Sequence, residues 1–563
     1  MFLKIVRSAQ NIDYVYVVEG YRDSSGRIKH KYLFSLGRLE DFLNTESFKK
    51  LAKRALSESV EKQFDLTKIS EGRVLNYGHC LIKKLWDKFQ FDEFFSRVSK
   101  KKQFNLSQAV LYMTARHMIS SDSKLGMYES RKDFLGFESI GINHLYRALD
   151  VLAESKEELE EYLFRKRYNL FNNQVDVVFY DVTTIYLTSS GLSPRDNASH
   201  CESQNEDILR KYGFSKDGKM RSIFLRRSRK SQIGSVQIVL GLLIDSEGFP
   251  IGYEIFPGNT FDGKTLLPFL ERLKKRFSLK RIIIVADKGI NSKINLLKLK
   301  EQGFGYIVAV RLKSADFQLH KEVFNPEGYV EIKTEEGIFK YKQIKYSFKV
   351  RDLEGKIKEI TDTLIISYSD KRAEKDRAER EILINKAIKL LESPSIIEGL
   401  NKRGGKKYIK TEGQNRYILD ESLIKRDMEF DGYYAVQSSE NLSPEQILSA
   451  YHSLWKIEES FRIMKHTIEV RPVYHWTEKR IKGHLVVCFL SFLFMRMLES
   501  ALNKDVSTER IKEALQSVTL TEFSIDGKEY YLKNRMDKVA KALFKALKVS
   551  EPAHLTVKEE FGI

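Results

Sequence analysis

Three carboxylates in this chain stand at positions where phosphoryl chemistry could be assembled. Asp181 interrupts the apolar run Val175-Asp-Val-Val-Phe-Tyr-Asp-Val-Thr-Thr-Ile-Tyr-Leu187. Strand alternation puts it on one face with Val177, Phe179 and Thr183. Asp287 closes Arg281-Ile-Ile-Ile-Val-Ala-Asp287 and precedes Lys288-Gly289. That is the carboxyl end of a predicted strand, where ligands collect in open α/β sheets. Glu458 lies in Tyr451-His-Ser-Leu-Trp-Lys-Ile-Glu-Glu-Ser-Phe-Arg-Ile-Met-Lys465. Each aspartate alone reads as a strand-end residue capping a turn. Drawn together, the three acids repel and their pKa values rise. Two divalent cations about 3.5–4 Å apart relieve that repulsion and suit in-line displacement at phosphorus. Oxygen ligands favour Mg²⁺, with Mn²⁺ as a possible substitute.

The 451–465 stretch reads as one helix with two stripes. Ile457, Phe461, Met464 and Ile468 form an apolar face. Tyr451, Glu458 and Lys465 are spaced by seven and line up over two turns, with Trp455 and Arg462 beside them. A phenol, a carboxylate and cations along one edge suit a metal and a phosphodiester; an amphipathic helix with a solvated face is the plainer reading. Arg221, Arg226, Arg227, Arg229 and Lys230 form a basic run between two predicted strands. It is either a solvated loop or a set of phosphate contacts beside the site, each cation adding salt-sensitive affinity.

A rival phosphate motif is present. Gly258-Asn-Thr-Phe-Asp-Gly263-Lys264-Thr265 has the spacing of a Walker A loop and lies between a strand and a helix. Against a P-loop ATPase, the preceding strand pairs through a tight turn with residues 236–244, giving an antiparallel hairpin. Asp262 would also put a negative charge in the anion cradle, and Asp181 and Glu458 would be left without a role. Gly213-Phe-Ser-Lys-Asp-Gly218-Lys219-Met220 fails the pattern at Met220.

The elements that must position these groups follow from periodicity. Residues 174–312 read as three strands joined by tight connections, then helix, strand, helix, strand. This is an α/β fold with a ribonuclease-H-like mixed sheet, an antiparallel meander followed by parallel crossovers. A β-rich insertion is expected over 313–431, with a charged helix near 371–392 and a Gly-Gly hairpin tip within 401–410. Residues 432–500 return to the catalytic domain and include a buried helix near 480–499. The rest divides into an N-terminal β-rich segment (1–70), a helical, possibly DNA-binding domain with a basic knot at Lys100-Lys-Lys102 (71–173), and a helical C-terminal region with a hairpin signal at Asp526-Gly527 (501–563).

The bulk composition agrees with this picture. The chain has 563 residues and 96 Lys and Arg against 77 Asp and Glu, a formal charge of +19, which points to a polyanionic partner and nucleic acid before membrane. The three cysteines are far apart and odd in number, so a disulfide framework is not expected and a reducing compartment fits. No cysteine and histidine group has zinc-ligand spacing in the sequence. The N-terminus lacks a signal-peptide apolar core, and the apolar run at 485–495 is shorter than the about 20 residues of a bilayer span.

The chain resembles the DDE-type insertion-sequence transposases of the group marked by a Tyr-Arg-Glu-Lys signature. The matching pieces are Tyr180-Asp181-Val-Thr-Thr, Val285-Ala-Asp287-Lys-Gly, and Tyr451 through Glu458 to Lys465, followed by Arg471-Pro472-Val-Tyr and His484. The signature arginine position holds Leu454, and Arg462 is the nearby cation. The resemblance implies that Asp181, Asp287 and Glu458 hold two Mg²⁺ ions, that Tyr451 and Lys465 hold DNA near the cut, and that Trp455 and Arg462 add contacts. It implies binding of terminal inverted repeats, cleavage and strand transfer on double-stranded DNA, action as a homodimer in a paired-end complex, no membrane, and a bacterial-type cytoplasmic, nucleoid-associated location. The alternatives are a related metal-dependent nuclease without strand transfer, a non-enzymatic DNA-binding derivative and, remotely, the P-loop ATPase.

Overall fold

The computed structural model describes residues 2–8, 12–22, 28–39, 72–99, 104–167, 177–187, 209–213, 235–277, 282–287, 289, 291–334, 337–352, 354–397, 404–413, 416–525 and 527–561. The chain divides into two compact units, residues 160–461 and residues 1–159 with 462–563. The basic run at 221–230 and the knot at 100–102 lie outside the described residues.

Residues 160–461 are built on one ten-stranded sheet. Its strands are β1 (Val177–Tyr186), β2 (Lys211–Gly213), β3 (Ser235–Asp245), β4 (Pro250–Pro257), β5 (Ile283–Ala286), β6 (Gly305–Val310), β7 (Val330–Thr334), β8 (Gly337–Arg351), β9 (Ile357–Ser369) and β10 (Tyr433–Ser438). The core order is β4-β3-β1-β5-β6. The β4-β3-β1 part is antiparallel, and β1-β5-β6 is parallel. This is the meander-then-crossover arrangement of a ribonuclease-H-like sheet. The helices Leu266–Phe277 and Lys293–Glu301 make the two crossovers. The central strands are apolar on both faces because a parallel sheet is covered on both sides. Tyr180, Phe269, Ile284, Leu296 and Tyr306 share one core with them.

Most strands of the β-rich segment 313–431, read from sequence as an insertion, join the central sheet; one hairpin, Ile409–Glu412 with Arg416–Leu419, stands apart from it. Strands β7, β8 and β9 continue the central sheet through β10. Val436 of β10 faces Ala309 of β6 on one side and Ile365 of β9 on the other. Leu364, Ile365 and Ile366 are fully buried, so β9 is an interior strand rather than a polar edge. The expected Gly-Gly hairpin tip is also corrected. Gly404–Tyr408 is a 3₁₀ turn, and the hairpin follows it as Ile409–Glu412 paired with Arg416–Leu419. A Cβ on Gly405 would meet the Ala387 backbone nitrogen at 2.8 Å, so this glycine permits close approach to the helix Asp370–Leu391.

The other unit contains a three-stranded antiparallel sheet of Phe2–Arg7, Asp13–Arg22 and Ile28–Arg38. A four-stranded sheet joins chain segments remote in sequence, pairing Arg73–Asn76 with Thr519–Ile525. The helix Glu478–Ala501 is long and apolar enough to cross a membrane by length and composition, but 89% of its most apolar window is buried inside the protein. Its Ser491 hydroxyl donates to the Thr114 carbonyl at 3.2 Å, tying it to the helix Leu106–Ile119.

His79 opens the helix His79–Lys88 at 4% exposure, and its Nδ1 has no partner among the described residues. Burial holds this ring down to about 4. The folded value lies below the unfolded value of about 6.5, so the contribution is complete above that pH and is lost as pH falls toward 4. By pH 4 the loss amounts to roughly 3 kcal/mol. Urea midpoints at neutral and acid pH should show it, and His79→Phe should flatten the difference; an unchanged slope would sink the assignment.

Candidate active site

Backbone register brings the two aspartates together. In the parallel pair β1–β5, Val177 faces Ile283, Val178 faces Ile284 and Phe179 faces Val285. The ladder ends there, and its register, continued for two more residues, would set Asp181 opposite Asp287. Alternation puts both on the face shared by Phe179 and Val285, across an inter-strand gap of about 4.8 Å. Asp181 is half-buried between the buried Tyr180 and Val182, and Asp287 is exposed just beyond the end of β5. Asp181 Oδ1 accepts a hydrogen bond from the Val182 N–H at 2.7 Å. Tyr180 points the opposite way and donates to Thr265 Oγ1 at 2.9 Å.

The 451–465 stretch is not the single helix expected from its periodicity. The helix Pro444–His452 ends at Ser453, and a second helix runs over Trp455–Arg462. The join is tight, with i→i−3 bonds from Leu454 N to Tyr451 O, Lys456 N to Ser453 O and Ile457 N to Leu454 O. A wide π turn, Ile463–Thr467, follows. The apolar face holds, because Ile457, Phe461, Met464 and Ile468 are all buried. The straight Tyr451-Glu458-Lys465 line does not, because the tight join and the wide turn change the winding on either side of Glu458. Leu454 is 9% exposed and packs inward, so the signature arginine position is part of the core.

Tyr451 nevertheless remains with the acids. A capping box at Ser443 and Gln446, with Pro444 in the first turn, starts its helix. That helix packs on β5, β6, β9 and β10. Burial pushes the Tyr451 hydroxyl up to about 12, and the negative charges of Asp287 and Glu458 push the same way. The phenol therefore lies within the field of both carboxylates. Lys456 Nζ donates to the Ser246 carbonyl at 2.6 Å, anchoring the Glu458 helix to the β3–β4 turn. Among the described residues no cation is ion-paired with Asp287 or Glu458, and Glu458 is exposed. Hard oxygen donors without ion-pair partners fit a divalent cation.

The same surroundings reveal a cation that the sequence reading missed. Arg372, at the start of the helix Asp370–Leu391, acts on Tyr451 in the opposite direction to the acids. Its guanidinium sits over the Tyr434 ring, 4.9 Å from the centroid. The Tyr434 hydroxyl lies 3.4 Å from His452 Nε2. Nothing in the sequence distinguishes Arg372 from the other cations of a charged helix. Of the remaining expected contacts, Trp455 is 54% exposed, Arg462 is exposed, and Lys465 is half-buried in the π turn. Arg462 and Lys465 belong to the other unit. Arg226, Arg227, Arg229 and Lys230 lie outside the described residues.

The Walker-like loop has another use. β4 is antiparallel to β3. A Cβ on Gly258 would meet the Gln237 carbonyl oxygen at 2.0 Å, so the glycine allows backbone packing. Thr265 is fully buried beneath Tyr180, and the Gly263 carbonyl accepts from Asn295 Nδ2 at 2.7 Å. Gly258, Gly263 and Thr265 of this loop serve packing rather than a phosphate cradle.

The family model for the transposase DDE domain matches residues 177–494. The model for the IS1634 family transposase N-terminal domain matches residues 3–64. Among solved structures, the piggyBac transposase synaptic complex with hairpin DNA is similar at 10% identity, over 80% of this chain and 82% of that one, with a TM-score of 0.32. No curated protein matches the chain.

Proposed function

We propose how this chain works from one premise: it belongs to the transposase DDE-domain family, whose model spans more than half of its residues. It is an insertion-sequence transposase, an enzyme that cleaves and transfers DNA strands. The family implies a divalent metal. In our reading the metal is a pair of Mg²⁺ ions held by Asp181, Asp287 and Glu458. Bound there, such a pair would lower the pKa of a water and offset charge on the leaving oxygen.

The chain's own residues supply placement. In this reading the β1–β5 register, continued beyond its last pair, would hold two of the acids side by side, and the Trp455–Arg462 helix would bring the third. The Tyr451 phenol keeps its proton at neutral pH and can donate to a phosphate oxygen. Arg372 offers the guanidinium that Leu454 cannot, suited to a bidentate phosphate contact. Water attacks phosphorus at the element's end and the 3′ oxygen departs, leaving a 3′-OH. That hydroxyl then attacks a target phosphodiester. The observation that carries this reading is the alignment of Asp181 with Asp287, with Tyr451 in the field of Asp287 and Glu458. Two copies would act on paired ends, on the nucleoid of a bacterial-type cytoplasm.

A labelled duplex ending in the element's terminal repeat tests the reading. With Mg²⁺ and no ATP, we expect a nick exposing a 3′-OH, then a joined product when target DNA is added. Nicking without joining would turn the assignment to a nuclease, and a requirement for ATP would revive the P-loop.

A further inference from the structure

A second set of metal-ligating groups lies in the unit formed by residues 1–159 and 462–563. We propose that His117, His484 and Cys488 form a closed zinc site that clamps the helix Leu106–Ile119 to the helix Glu478–Ala501. One ligand atom from each lies within 4.8 Å of the others. Their exposures are 1%, 5% and 0%. His484 and Cys488 are one helical turn apart, at i and i+4, so both project from the same face.

The spacings suit a tetrahedral ion. With a nitrogen ligand at about 2.0–2.1 Å and a sulfur ligand at about 2.3 Å, the nitrogen–sulfur edge is about 3.6 Å. Cys488 Sγ lies 3.5 Å from His484 Nε2. The protein's own hydrogen bonding does not account for the His484 ring, whose Nδ1 has no partner among the described residues. The outer contacts are those that orient ligating histidines. His117 Nδ1 lies 3.4 Å from the Ile468 carbonyl and 3.1 Å from Ser121 Oγ, which leaves its Nε2 for the metal. His475 lies beside the cluster, its ring centroid 5.4 Å from that of His484.

Lys124 marks the cluster as a cation site. It is 3% exposed, and its Nζ lies 3.3 Å from His117 Nε2 and 3.6 Å from Met127 Sδ. An ammonium is the cation these lone pairs accept in the metal-free chain. Zinc binding would move it aside and release the Cys488 thiol proton to water. Mixed nitrogen and sulfur donors select zinc, and a fully buried set describes a structural ion rather than a catalytic one.

The test uses the full-length protein, stripped of metal and titrated with Co²⁺ alone and then with Zn²⁺. We expect one thiolate-ligated cobalt per chain, read from a thiolate-to-cobalt absorption band in the near ultraviolet and bleached by zinc; cobalt held by the carboxylates gives no such band. Cys488→Ser should abolish the band, while Cys80→Ser and Asp287→Asn should keep it. Equimolar zinc should raise the wild-type melting temperature, a readout that needs no variant. No band in the wild type, or a band that persists in a folded Cys488→Ser protein, overturns the site.

Discussion

Asp181→Asn, Asp287→Asn and Glu458→Gln should each lower strand cleavage by about a thousandfold or more, the equivalent of several kcal/mol of transition-state stabilisation. Binding of the end duplex should weaken by less than about tenfold, because affinity for DNA rests mainly on phosphate contacts by cations. An amide keeps the shape of the side chain and removes its charge, so the fold is preserved while a cation ligand is lost. The three effects should be far from additive, since each acid serves one site. Cleavage of labelled ends, measured beside gel-shift affinity, separates the two quantities. A variant that cuts at the wild-type rate does not carry a metal ligand at that position. Equal losses of cutting and binding would mean instead that the acid supports the fold.

The largest expected effect on stability lies at Arg276. It is buried, with its side chain 6% exposed, and it pairs with two buried acids. Glu160 is 1% exposed and bonds Arg276 Nη1, while Glu254 Oε1 lies 3.4 Å from Arg276 Nη2. Glu160 also accepts the Tyr253 N–H at 3.2 Å, and Glu254 binds Arg272 at 2.9 Å. Arg276→Met leaves two buried carboxylates near each other with one cation fewer. A loss of about 3–5 kcal/mol is expected, because breaking a buried pair strands its partner's charge. Glu160→Met in the same chain should recover part of it. Urea denaturation of both variants reads the difference. A loss below about 1 kcal/mol for Arg276→Met would show that water reaches the network.

Much of the catalytic unit was legible in the chain. Apolar runs with few breaks mark β1, β3, β5 and β6 as interior strands, and the two aspartates stand out because Asp181 breaks and Asp287 ends such a run. The tight turn at residues 245–250 gave the antiparallel hairpin that removes the Walker-like loop from contention. Three features were not legible, each for a local reason. Heptad spacing across 451–465 fits a continuous helix as well as two short ones, because the apolar stripe begins at Ile457, beyond the tight turn at Ser453-Leu454. Hydrophobic patterning shows that β9 is buried but not which strand it pairs with, so a sheet extension and a separate insertion look alike. Arg372 is one cation among several on a charged helix, and only the folded position of Tyr434 and Tyr451 singles it out.

The alignment of Asp181 with Asp287 has an evolutionary consequence. Their spacing follows from the main-chain pairing that ends two residues before each of them, more than from the packing of neighbouring side chains. Drift in the surrounding core can reshape volume and stability without retuning the distance between the acids. The one change that does reach them is a slip of pairing by a residue, which turns one acid to the opposite face of the sheet. The pair therefore behaves as a discrete setting. On the proposed assignment, selection can vary the DNA-reading surfaces while the cutting centre is either inherited whole or lost.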